Sequence, residues 1–167
     1  MTAQRHEGLA FDVTGDGPAI MLLHGFPQCR AMWRPIAEDL ASNFTCVTVD
    51  LPGYGESDGG QSVGASSFRA MADRLLGLLD HLGFDNVHLV GHDRGGRVAH
   101  RMALDAADRV ASLTVMDIVP THEIVTHLRA DVARAYYHWF FLAQPAPFPE
   151  TLIQHDPDAY FESCLSG

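Results

Sequence analysis

Two short stretches combine residue types able to do chemistry: Leu89 to Arg97, LVGHDRGGR, and Leu22 to Pro27, LLHGFP. In the first, an apolar run ends in glycine, followed by a histidine, an acid, and two arginines around a glycine pair. The frame Gly91-His92-Asp93-Arg94-Gly95 has the spacing of a G-x-S-x-G nucleophile elbow, with a carboxylate where serine would stand. An elbow of this kind presents its central side chain at a sharp strand-to-helix turn. Its glycines leave room for close helix packing, and the helix dipole favours an anion there. The other common use of aspartate at such a place is as a plain helix N-cap. The second stretch favours the elbow, because the backbone N–H of Phe26, together with that of Arg94, can form an oxyanion hole. A carboxylate nucleophile implies substitution at an alkyl carbon, giving an ester that water then hydrolyses.

The arginines beside the acid need a local reason. The chain has 167 residues and a net charge of −10, with an isoelectric point near 5.3. That balance repels nucleic acid and anionic membranes. Arg94 and Arg97 stand three apart on a predicted helix and so face one side, where guanidinium groups can grip a carboxylate through paired N–H bonds. An ordinary surface salt bridge is the plainer use of Arg97, and Arg101, one turn on, is expected in solvent. Cys29, Cys46 and Cys164 give no metal spacing, and an odd count argues against a disulfide framework. The histidines are scattered, so neither a metal nor an organic cofactor is expected. No signal-peptide core or membrane-length apolar run is present in the sequence, which points to a cytoplasmic setting.

Strand and helix periods alternate along the elements that must position these groups. Leu9 to Thr14 reads as a strand, turned by Gly15-Asp16-Gly17 into Ala19 to Leu23 as a hairpin. Met32 to Leu40 reads as a short helix, with Met32 and Trp33 packing beside the HGFP loop. Phe44 to Val49 is a strand and LPGYGESDGG a turn, with Asp50, Gly53, Gly55 and Ser57 as turn chemistry. Phe68 to Leu82 forms a helix carrying Leu75, Leu76 and Leu79 on one face. Asn86 to Val90 is a strand, Arg94 to Asp105 a helix and Val110 to Met116 a further strand. Repeated β-α-β units of this kind imply an α/β fold with a doubly wound, mostly parallel sheet. Residues 118–167 show aromatic helical stretches such as ARAYYHWFF and no strand signal, and are expected to cover the ligand edge of the sheet.

HGFPQ, LPGYGESD, VGHDRGGR and VMDIVP, in this order and spacing, resemble the α/β-hydrolase superfamily, and more narrowly the haloacetate (fluoroacetate) dehalogenases. The similarity runs along essentially the whole chain. It implies that Asp93 attacks the α-carbon of a haloacetate, that halide leaves, and that hydrolysis of the ester releases glycolate. Both Asp93 and the substrate are anions, so fixed guanidinium groups offset their repulsion. The resemblance gives the substrate carboxylate to Arg94 and Arg97. It assigns halide binding to His138 and Trp139, whose N–H groups replace departing hydration. From the residues alone, AYYHWFF reads equally as packed core. Asp117, in VMDIVP, takes the role of the acid that orients a catalytic histidine, its alternative being a loop cap before Pro120. Substrate and water are the partners implied, and relatives of this kind are commonly homodimers.

In elbow hydrolases the order is nucleophile, acid, histidine. Here His122, His127, His138 and His155 follow Asp117, all inside the expected cap, and none follows a further strand. The reading is therefore residues 1–117 as the N-terminal part of an α/β-hydrolase core and 118–167 as the start of a helical cap, ending at Ser166-Gly167. On that reading the 167 residues alone do not turn over. Two alternatives stand beside it. An epoxide hydrolase shares the aspartate and the HGFP loop, although a tryptophan commonly follows the nucleophile there. A non-catalytic, truncated protein of the same fold is the other.

Overall fold

The computed structural model describes residues 4–60 and 63–165, so the expected end at Ser166-Gly167 lies outside the described residues. The chain divides into two compact units, Met1–Ile118 and Val119–Gly167.

The first unit is built on a six-stranded mixed sheet. Its strands are β1 (Gln4–His6), β2 (Leu9–Thr14), β3 (Ala19–Leu23), β4 (Thr45–Val49), β5 (Val87–His92) and β6 (Val110–Met116). Their spatial order is β1-β2-β4-β3-β5-β6. β3, β4, β5 and β6 run parallel, while β1 and β2 are antiparallel to their neighbours. The expected hairpin between Leu9–Thr14 and Ala19–Leu23 does not form, because β4 lies between them. Gly15 and Gly17 instead let their loop pack against backbone: a Cβ on Gly15 would strike the carbonyls of Ala41 and Phe44. The actual hairpin is β1–β2, turned by Glu7 and Gly8 at φ 45° and 77°, the left-handed pair that a two-residue turn requires.

Period-2 alternation splits the core between the sheet's two faces. Met21 and Leu23 belong to one cluster with Val47, Val49 and Leu89. That cluster is completed from α2 (Phe68–Leu82) by Leu75, Leu78 and Leu79, and from α3 (Arg94–Asp105) by Val98 and Met102. Ile20 and Leu22 point the other way, onto Trp33 and Ala37. The helix expected over Met32–Leu40 is a short 3-10 turn, Arg30–Trp33, running into α1 (Arg34–Leu40). Pro35 stands in its first turn, where no N–H is missed. Trp33 is buried as expected, but Met32 is 36% exposed. On α2, Leu78 rather than Leu76 completes the fully buried face, and Leu76 packs at its margin. The Ser67 hydroxyl caps the start of α2 and Gly83 closes its end in the left-handed region.

The second unit is helical: α4 (Thr121–Thr126), α5 (Ala130–Ala135), α6 (Tyr137–Leu142), α7 (Phe148–His155) and α8 (Pro157–Leu165). Phe141 gathers Phe148 and Tyr160, with ring centroids 6.4 and 5.9 Å away. Among the described residues no helix is long and apolar enough to cross a membrane.

Candidate active site

Asp93 stands between β5 and α3 at φ 45°, ψ −114°. Few residues other than glycine tolerate such a conformation, and those that do cluster at functional turns. The glycine frame makes it possible. A Cβ on Gly91 would run into the backbone of Gly95 and Gly96, and one on Gly95 into the carbonyls of Leu23 and His24. The backbone is tied on both sides, with Asp93 N donating to Met116 O and Arg97 N to Asp93 O, each at 3.1 Å.

The carboxylate does not cap its own helix. Its Oδ2 accepts from Phe26 N at 2.9 Å instead, so the N-cap alternative does not describe this aspartate. Strand β3 delivers the HGFP loop to this position, since parallel pairing sets Leu23 beside Gly91. Gly25 is needed for the approach: a Cβ there would lie 2.7 Å from the Asp93 Cβ.

The loop is held from behind. Asp50 is fully buried, accepting at Oδ1 from Arg30 N at 2.7 Å and at Oδ2 from Glu56 N at 2.9 Å. The Arg30 guanidinium pairs with Asp50 and also with Asp12 and Glu56. Ser57 Oγ bridges Ala10 N and Asp50 O. Asp50 and Ser57 are thus buried links between β2, the HGFPQCR loop and the PGYGES turn, beyond the turn chemistry expected of them. Nearby, a cleft of about 480 Å³ is lined by Asp12, Arg30, Arg34, Glu38, Asp50 and Glu56 among others, and contains none of the expected site residues.

The two arginines are held differently. The Arg94 guanidinium lies 5.2 Å from the Phe68 ring centroid and 6.0 Å from that of Tyr54. Among the described residues no carboxylate forms an ion pair with it, and these two aromatic rings face the charge. Burial raises the Tyr54 phenol above its usual range, with Arg94 opposing that shift, so Tyr54 stays neutral at physiological pH. Arg97 is only 4% exposed, which removes the surface salt bridge as its use. Arg101, expected in solvent, pairs with Asp105 one turn along.

Asp117 follows β6 at φ 55°, with its side chain 85% exposed and 3.7 Å from His92 Nε2. His92 is a neighbour that sequence reasoning missed. The signal was the parallel register, which sets His92 beside Met116 and hence near Asp117. Asp93, Phe26, Arg94, Arg97 and Asp117 all belong to the first unit. His138 and Trp139 belong to α6 of the second, where the Tyr136 ring meets Trp139 at 5.2 Å and the Tyr137 ring meets His138 at 5.8 Å. Among the described residues no group of three His, Cys, Asp or Glu side chains is placed to hold a metal.

Comparison with known proteins bears on the fold and its uses. Residues 18–167 match the family model for the alpha/beta hydrolase fold. A fluoroacetate dehalogenase from a Burkholderia species is 54% identical over 160 residues, covering 93% of this chain and 52% of that protein. A soluble epoxide hydrolase from Corynebacterium sp. (strain C12) is 34% identical over 153 residues, covering 91% of this chain and 53% of that protein. Among solved structures, ALR0039 from Nostoc sp PCC 7120 superposes with a TM-score of 0.92 at 44% identity, covering 99% of this chain and 58% of that one. The chain spans about half the length of the curated relatives it matches.

Proposed function

The chain belongs to the alpha/beta hydrolase fold family, and from that premise we propose that the protein at its natural full length hydrolyses haloacetates, with Asp93 as the nucleophile. The observation that carries this reading is the Asp93 carboxylate itself: strained at an elbow, free of any helix-capping bond, and held by the Phe26 N–H. Identity of 54% to a fluoroacetate dehalogenase supports the substrate class.

The proposed chemistry starts from one carboxylate. With Oδ2 engaged by Phe26 N, Oδ1 is the oxygen available for attack. It bonds to the α-carbon as the carbon–halogen bond breaks, and the halide departs with the electron pair. The substrate carboxylate takes the guanidinium groups of Arg94 and Arg97, which offset the repulsion between two anions. His138 and Trp139 donate to the leaving halide. Water then attacks the acyl carbon of the ester, loses its proton to a base, and releases glycolate while restoring the Asp93 carboxylate. As the new bond forms, charge on the former Oδ2 is held by the N–H groups of Phe26 and Arg94. Asp117 orients the histidine base in this scheme. Among the described residues of the first unit, its imidazole neighbour is His92.

The test is halide release from fluoroacetate, chloroacetate and bromoacetate by the purified full-length protein, with a neutral epoxide as comparison. Haloacetates are consumed and Arg94→Gln together with Arg97→Gln abolishes that use. An enzyme that opens the epoxide, ignores haloacetates and tolerates both substitutions would be an epoxide hydrolase instead. Identity of 34% to a soluble epoxide hydrolase makes that the relevant comparison.

A further inference from the structure

His24 takes no part in either step above, yet it is fully buried and both its ring nitrogens are engaged. Leu51 N donates to Nε2 at 2.9 Å. A backbone N–H can only donate, so Nε2 is the bare nitrogen and the ring proton sits on Nδ1. Nδ1 lies 2.8 Å from Gly25 O and therefore donates to it. The Gly25 carbonyl and the Phe26 N–H are two ends of one planar peptide unit. Its far end donates to Asp93 Oδ2 at 2.9 Å. Turning that plane about its flanking Cα atoms would move both bonds together, and Gly25 has no side chain to resist the turn.

We propose that His24 is a positioning residue: by holding the Gly25 carbonyl through Nδ1–H, it keeps the Phe26 N–H aimed at Asp93, and Leu51 N–H fixes the tautomer that lets it do so. The inference rests on the reading of Asp93 as nucleophile for its catalytic consequence, but not for its geometry. Asp50, Arg30 and Asp93 are the charged groups acting on the ring, and the Tyr54 ring meets it edge-on at 5.4 Å. Burial holds its pKa below the usual value, consistent with a neutral ring that donates only at Nδ1.

Two substitutions separate the two bonds. His24→Asn sets an amide N–H near the place of Nδ1, keeping the bond to Gly25 and giving up Leu51. His24→Gln sets an amide oxygen near the place of Nε2, keeping Leu51 and giving up Gly25. Single-turnover glycolate release, which reads hydrolysis of the Asp93 ester, should fall about 10²-fold in His24→Gln, the scale of one lost oxyanion-hole donor, while His24→Asn keeps most of it. The preceding halide-release step should move little in either. In ¹H–¹⁵N spectra the Phe26 amide proton, hydrogen-bonded to Asp93 Oδ2, should lie downfield in the parent and in His24→Asn, and move upfield in His24→Gln. Equal losses in both variants, or a Phe26 resonance unmoved in His24→Gln, would overturn the proposal. So would a parent ¹⁵N spectrum showing His24 protonated at Nε2, a measurement that needs no variant to fold. If the parent releases no halide, the reading of Asp93 fails, while the Phe26 amide still decides the role of His24.

Discussion

Gly25→Ala offers a sharp perturbation of the proposed nucleophile because it adds one methyl group at a known contact. Gly25 is not among the described glycines with positive φ, so alanine meets no backbone penalty there. The added Cβ would lie 2.7 Å from the Asp93 Cβ and 3.0 Å from both Asp93 Oδ2 and His92 Nδ1. The first distance is roughly 0.7 Å inside ordinary van der Waals contact. If Asp93 retreats by that amount, Oδ2 moves from 2.9 Å toward about 3.6 Å from Phe26 N, beyond hydrogen-bonding range. Loss of one preorganised donor lowers the rate of ester hydrolysis by about 10²–10³, or roughly 3–4 kcal/mol of barrier. Overpacking should cost the fold only about 1–3 kcal/mol. The assay is single-turnover glycolate release, which reads hydrolysis of the Asp93 ester, beside a thermal melt. A rate close to the parent's in a folded Gly25→Ala protein would refute the reasoning, since it would mean that the Phe26 N–H does not matter to Asp93.

Other expectations follow from the same contacts. Asp93→Gly should remove all ester formation yet raise stability by about 1 kcal/mol, because glycine adopts φ 45° without strain; a lower melting temperature would count against a strained elbow. Asp50→Ala leaves Arg30 partly buried without its fully buried partner, and should lower stability by about 3–5 kcal/mol in urea unfolding. Stability should also fall on acidification. His24 has a lowered pKa in the folded state, so the unfolded chain takes up a proton first as pH drops below about 6.5, and the loss continues down to the folded value. His24→Asn should flatten that part of the pH–stability curve, and an unchanged curve would show that His24 does not set it.

Much of this was legible in the residues, and the gaps have physical causes. The helices Phe68–Leu82 and Arg94–Asp105 are found at the bounds expected from their apolar period and end signals. The glycine frame around Asp93 announced a close strand–helix approach that the backbone contacts bear out. The Gly15-Asp16-Gly17 turn misled because a glycine pair looks the same whether it closes a hairpin or lets a loop pack on backbone. Only the insertion of β4, a long-range event, decides between them. Asp50 read as turn chemistry for a similar reason: its partner Arg30 lies 20 positions upstream, and nothing local shows that a carboxylate in a PGYGES setting is buried. His92 escaped notice because its link to Asp117 runs across neighbouring strands rather than along one.

The most direct test of the account is one turnover of a haloacetate in heavy-oxygen water, followed by mass spectrometry of the peptide that contains Asp93. The account predicts a transient carboxymethyl ester on Asp93, then heavy oxygen in the Asp93 carboxylate, with the first glycolate released unlabelled. Label in the glycolate hydroxyl and none in Asp93 would mean that water attacks the substrate directly, and would contradict the assignment of Asp93 as nucleophile.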